Sequence, residues 1–225
     1  MQMLASKPAA TNAEAKSALD NTAAVWAGGA LVVGIVAALL IFIHNRYIPI
    51  TEGWFSGYGR MMRQGKVPYR DFWFFCQPIP LFIAQVINAV SEKLIYVRYY
   101  ALIERCIITA VLYFVLSRRF SAAASSIATL TSMVCFITYY TDAFFSYLYT
   151  CLLFILLASA CLQAAYLHPT RRRLFMILSG SCASLAFFTK QSSGLLETAA
   201  VGISILVLSP MAWLCVRVPE VHDRV

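Results

Sequence analysis

The chain has 225 residues, of which 60% are apolar and only 12% charged, with a mean hydropathy of +0.72. A soluble domain is about a quarter charged, so this composition excludes a water-soluble globule. The net charge of +8 would suit nucleic acid in a soluble protein. No basic patch lies in a soluble segment, so the excess points to membrane lipid as the partner and not to nucleic acid.

Residues 1–22 are polar and rich in Ala, Ser, Asn and Lys, which predicts a disordered cytoplasmic tail. The block 24–43 is long enough to span and has no small-residue cleavage site before His44, so it reads as an uncleaved first span. Residues 45–79 mix aromatic, basic, Gly and Pro residues and form a loop with short helices. The apolar stretch 80–90 is too short to cross and reads as re-entrant or interfacial. Further spans are predicted at 96–116, 122–139, 144–167, 174–188 and 195–216, followed by a short tail, 218–225. The expected fold is an all-α membrane protein: one membrane domain, 23–217, with about six transmembrane helices and a partly helical first extracytoplasmic loop.

Arg118 and Arg119, and then Arg171, Arg172 and Arg173, follow even-numbered spans, so both clusters lie on one side. The positive-inside rule makes that side cytoplasmic and sends 45–79, the turn at 140–142 and the turn at Lys190 outside. The seven cysteines show neither a CxxC pair nor zinc spacing. No cofactor or metal set is read from the chain.

The outer loop breaks the positive-inside rule with Arg46, Arg60, Arg63, Lys66 and Arg70. From 53 to 64, Phe55, Tyr58 and Met62 recur at helical spacing, with Arg60 and Arg63 on the other side. That pattern predicts an amphipathic helix on the membrane surface, ended by Gly65. The two arginines either touch lipid headgroups or hold an anionic ligand.

The loop order is Glu52-Gly53, an aromatic, a short basic helix, Gly65-Lys66-Val67-Pro68-Tyr69-Arg70-Asp71-Phe72, then Pro78 and Pro80 opening an apolar helix. It resembles the first extracytoplasmic loop of C-type integral-membrane glycosyltransferases, the bacterial group related to protein mannosyltransferases and lipid A sugar transferases. The resemblance continues through Arg98, Asp142 and the run ending in Lys190-Gln191, and covers about residues 24–200. It implies transfer of a sugar from a polyprenyl-phosphate donor at the outer face of the bacterial inner membrane. It also implies a carboxylate base early in the loop, where Glu52 stands; Thr51 occupies the place of a first acid that many relatives carry. Members of the family are far longer, so the chain is expected to match their N-terminal half, with a partner chain able to supply the rest.

The chemistry sets its own requirements. Displacing phosphate from an anomeric carbon passes through an oxocarbenium-like centre. A carboxylate accepts the acceptor's proton, and Arg or Lys holds the departing phosphate. Glu52, Asp71 and Asp142 are the candidate carboxylates. Arg60, Arg63, Tyr69, Arg70, Lys190 and Gln191 are the candidate substrate contacts. Each has a structural alternative. Glu52 suits the N-terminus of the surface helix, Asp71 a pair with Arg70, and Asp142 the N-cap of the fourth span. Lys190 and Glu197 share a face if their helix is continuous. A buried Arg–Glu arrangement around Arg98, Glu104 and Arg105 would hold spans together. The alternative reading of the whole chain is a non-enzymatic assembly subunit or half-transporter.

Overall fold

The computed structural model describes residues 12–43, 50–74, 77–139, 145–193, 195–196, 199–200 and 202–203. Among these the fold is all helix apart from one isolated bridge, Pro68 to Phe72. In chain order the helices are α1 (Asn12–Ile43), α2 (Ile50–Arg63), α3 (Ile79–Val90), α4 (Leu94–Ser117), α5 (Ala122–Tyr139), α6 (Tyr147–Leu167) and α7 (Arg172–Thr189). A single 3-10 turn, Pro169–Arg171, precedes α7.

Among the described residues, three helices are long and apolar enough to cross a membrane: Asn21–Ile43 within α1, α4 and α6. Six were expected. α5 has the predicted ends, and its stretch Ala122–Cys135 is a shorter apolar helix. α7 opens on Arg172 and Arg173, which shortens its apolar part. Most of the expected sixth span, 195–216, lies outside the described residues. The apolar surface agrees with a membrane protein. No more than a third of each spanning window is buried inside the chain, and side chains such as Phe42 (78% exposed) and Ile177 (67%) face outward. Apolar surface on that scale needs lipid to cover it.

The tail expected to be disordered is helical from Asn12. Ala13, Ala15, Ala18, Ala23 and Ala24 account for this, since alanine is the strongest helix former and carries the turn structure back from the span. α1 then approaches α4 closely at Gly28 and Gly29. A Cβ on Gly28 would stand 2.5 Å from the Tyr113 hydroxyl. That hydroxyl is buried and donates to the Val25 carbonyl at 2.9 Å. Small residues at a helix crossing allow such an approach in lipid, where packing rather than water drives association.

At the other end, α2 and α3 form a two-helix unit between α1 and α4. α2 is strongly amphipathic and buries Phe55 and Met62 while Trp54 points out. Gly65, at φ +83°, ends it in the left-handed conformation that glycine adopts without strain. α3 has twelve residues, about 18 Å of helix, against a hydrocarbon core of about 30 Å. It is a shorter apolar helix, below the length of a span. The main core cluster sits at this end, where Leu40, Phe55, Leu81, Val97 and Phe145 meet from five parts of the chain.

Candidate functional site

The site is assembled where α2 rests on the start of α4. Glu52, in the first turn of α2, is fully buried. Its Oε1 lies 3.6 Å from Nε of Arg98, in the first turns of α4, whose side chain is 13% exposed. Phe145, just ahead of α6, closes the space with edge-on contacts to Phe55 (5.1 Å) and Tyr100 (5.7 Å). A carboxylate and a guanidinium therefore share a mostly apolar, covered junction between the surface helix and a span. In such surroundings the pair is electrostatically strong, and each charge depends on the other.

Arg60 and Arg63 do not project freely from the far side of α2, as the amphipathic pattern suggested. Both reach Glu92, just past α3, at 3.1 and 3.4 Å. Arg63 also donates to the Asn88 carbonyl. These ion pairs are about half exposed, and pairs of that kind contribute roughly 0–1 kcal/mol. The stronger link is Asn88 itself, which is buried and donates to the Ser56 carbonyl at 2.7 Å while accepting from the Ser56 hydroxyl at 3.3 Å. Sequence reasoning missed Asn88 and Glu92. The available signal was a lone asparagine in an apolar helix, followed closely by a carboxylate just past the helix end.

The 67–72 segment is a self-contained turn. The Val67 amide donates to Asp71 Oδ2 at 2.7 Å, the Asp71 amide to the Val67 carbonyl at 2.9 Å, and the Tyr69 amide to the Phe72 carbonyl at 2.9 Å. Arg70 forms a two-point contact with Asp71, 2.8 Å on each arm. The Asp71 carboxyl is thereby lowered from 3.8 to about 2, first by Arg70 and then by the Val67 amide, and the Arg70 guanidinium is raised in turn. Asp71 thus takes the structural role of pairing and turn capping. Tyr69 sits at φ +65° with its side chain 55% exposed, a conformation that costs a bulky residue about 1–3 kcal/mol. Tyr58 stacks on Phe72 at 5.3 Å and anchors the turn to α2.

Inside the bundle, α4 carries two more buried charges. Glu104 accepts from the Thr150 hydroxyl at 2.6 Å and the Tyr100 hydroxyl at 3.0 Å. Arg105 is fully buried, its guanidinium 4.1 Å from the centre of the Tyr149 ring. The Thr150 and Tyr149 contacts join α4 to α6, through a hydroxyl and a ring rather than the expected Arg–Glu pair. Tyr149 also lines a cavity of about 190 Å³ with Leu152 and Lys190. Lys190 caps α7 in an extended conformation, so the helix is not continuous through it; Glu197, the partner expected on its face, lies outside the described residues. Gln191 follows it and is exposed. Asp142 also lies outside the described residues, and the N-cap role proposed for it belongs to Ser146, whose hydroxyl accepts from the Leu148 amide at 3.3 Å.

The structure thus brings Glu52 to Arg98, Arg60 and Arg63 to Glu92, and Arg70 to Asp71, in three separate groups. Among the described residues, no three metal-ligating side chains gather in one place. No protein-family model, curated protein or solved structure matches the chain.

Proposed function

We propose that this chain transfers a sugar from a polyprenyl-phosphate donor to an acceptor hydroxyl at the extracytoplasmic face of the bacterial inner membrane, as a C-type glycosyltransferase with α5, α7 and the 195–216 segment completing the six spans. The supporting observation is the buried Glu52–Arg98 pair, 3.6 Å apart at the junction of the surface helix and a span. The reaction needs one group of each kind at the bilayer edge. Glu52 takes the acceptor's proton as the acceptor oxygen bonds to the anomeric carbon, and the bond to phosphate breaks with its electron pair leaving on phosphate. Once Glu52 is protonated, Arg98 has lost its counter-charge at the moment the phosphate gains one, so the guanidinium passes from carboxylate to leaving group. Glu52 is covered in the resting arrangement, so substrate binding must displace part of α2. Catalytic contacts commonly tighten only in the complex.

The second reading is a non-enzymatic assembly subunit. It is favoured by the internal pairing of Arg60, Arg63, Arg70 and Asp71, which leaves the loop's charges satisfied by the loop itself. Sugar transfer from a polyprenyl-phosphate sugar in proteoliposomes separates the two. On the enzyme reading, Glu52→Gln lowers transfer by about 10²–10⁴-fold and leaves donor retention intact. Full transfer by that variant would remove Glu52 as the base. Wild-type protein that neither retains donor nor transfers sugar supports the assembly role.

A further inference from the structure

The opposite end of the bundle holds a groove that the sugar-transfer reading does not use. Its cavity, about 250 Å³, lies between α4 and α6. On α4 the lining runs through Ala110, Phe114 and Arg118, one turn apart along a single face. On α6 it runs through Ala160, Ala164 and His168 at the same spacing. The groove exists because Ala110, Ala160 and Ala164 are too small to fill the gap between the two helices. From Ala110 to Arg118 it follows eight residues of helix, about 12 Å, from the apolar interior to the bundle end. Its walls are apolar along that depth, and its mouth carries Arg118 and His168, with Gln163 beside them.

The mouth opens into a strongly basic surface. The segments 116–121 and 166–173 contain Arg118, Arg119, Arg171, Arg172 and Arg173 and no acidic residue. Arg172 lies over the Tyr166 ring at 5.8 Å and so holds its charge on the α6 side. That Arg118 and His168 line one cavity also places the two basic loops at the same end of the molecule. A narrow apolar slot with cations at its rim matches an acyl chain with a negative headgroup. Its volume is below the roughly 300–1,000 Å³ of sites that enclose a whole small molecule, so it takes part of one chain and leaves the headgroup at the rim. Basic pockets between spans on the cytoplasmic side bind anionic lipid headgroups by this logic.

We propose that the α4–α6 groove is a binding site for one anionic phospholipid, with an acyl chain against Ala110, Ala160 and Ala164 and the headgroup phosphate against Arg118 and His168. The site is specific in two ways: headgroup charge is read at the mouth and chain shape in the slot. Arg119, in the same loop but outside the lining, contributes only to the general surface field.

The test is lipid retention by the purified full-length chain, measured by native mass spectrometry after delipidation and re-addition of phosphatidylglycerol or phosphatidylcholine vesicles. Wild type keeps phosphatidylglycerol in preference to phosphatidylcholine. Arg118→Gln lowers that preference by about fivefold, the weight of one arginine near a charged surface, and Arg119→Gln by clearly less. Ala164→Phe fills the slot and removes retention of phosphatidylglycerol, and Ala160→Leu does the same should the first variant fail to fold. Excess inorganic phosphate does not displace the lipid, because it lacks the chain. Equal retention of the two lipids by wild type, equal losses for Arg118→Gln and Arg119→Gln, or full retention in the folded slot-filling variants would each overturn the proposal.

Discussion

Replacing Gly59 with alanine should pry α2 off α3. A Cβ at Gly59 would stand 2.8 Å from both the carbonyl carbon and the oxygen of Ala84, and 2.7 Å from Nδ2 of Asn88. Ala84 offers backbone, which cannot swing aside, so the helices must separate. Overpacking of this kind costs about 1–3 kcal/mol. Separation also breaks the Asn88–Ser56 contacts, and a buried amide left unsatisfied costs about another 1–3 kcal/mol. Alanine returns about 1 kcal/mol through its better helix propensity. The net expectation is a destabilisation of about 1–5 kcal/mol. Gly57, two residues earlier, meets nothing within 4 Å of its added Cβ, so Gly57→Ala should stabilise α2 by up to about 1 kcal/mol. Amide hydrogen exchange across 50–63 and thermal unfolding in detergent read the two variants side by side. If Gly59→Ala is as stable and as protected as Gly57→Ala, the close approach of α2 to α3 is not as described.

Glu52→Gln or Arg98→Gln alone leaves a buried charge and should cost about 3–5 kcal/mol, most of it recovered in the double variant. Thermal unfolding of all three checks this, and small additive losses would contradict a coupled pair. The 67–72 turn should depend on pH through Asp71. Its folded value of about 2 lies below the ordinary 3.8, so the stabilisation is complete above about pH 4 and lost as pH falls through about 2. Limited proteolysis of the loop by an acid-active protease would follow that window, and Asp71→Asn would flatten it. In a cysteine-free background, Gln64→Cys should label with an impermeant reagent in intact cells and Arg173→Cys should not, with the reverse pattern inverting the topology.

Helix positions were legible because hydrophobic runs and helical length mark them directly. α5 begins and ends at Ala122 and Tyr139, as the composition indicated, and α4 differs from its expected span by two residues at its start and one at its end. Local chemistry was also readable: Gly65 ends α2 and Arg70 meets Asp71, because the partners are neighbours in the chain. Contacts between distant segments were not. Nothing in the surface-helix pattern says that Arg60 and Arg63 meet a carboxylate some thirty residues on, or that Glu52 lies beneath its own helix against Arg98. Ser125 and Thr129 are small polar groups packed fully inside the bundle, a placement that hydropathy, which sums a window, does not report.

The short α3 has a consequence for how the molecule comes together. A segment of twelve residues is shorter than a span, and α3 packs with α2 instead. The α2–α3 pair can form by itself, since Gly59, Asn88 and Glu92 all lie within it. Its seating on the bundle involves α4, because Arg98, 3.6 Å from Glu52, belongs to that helix. The α2–α3 unit is thus held together by contacts of its own, and its docking onto the bundle uses the Glu52–Arg98 pair.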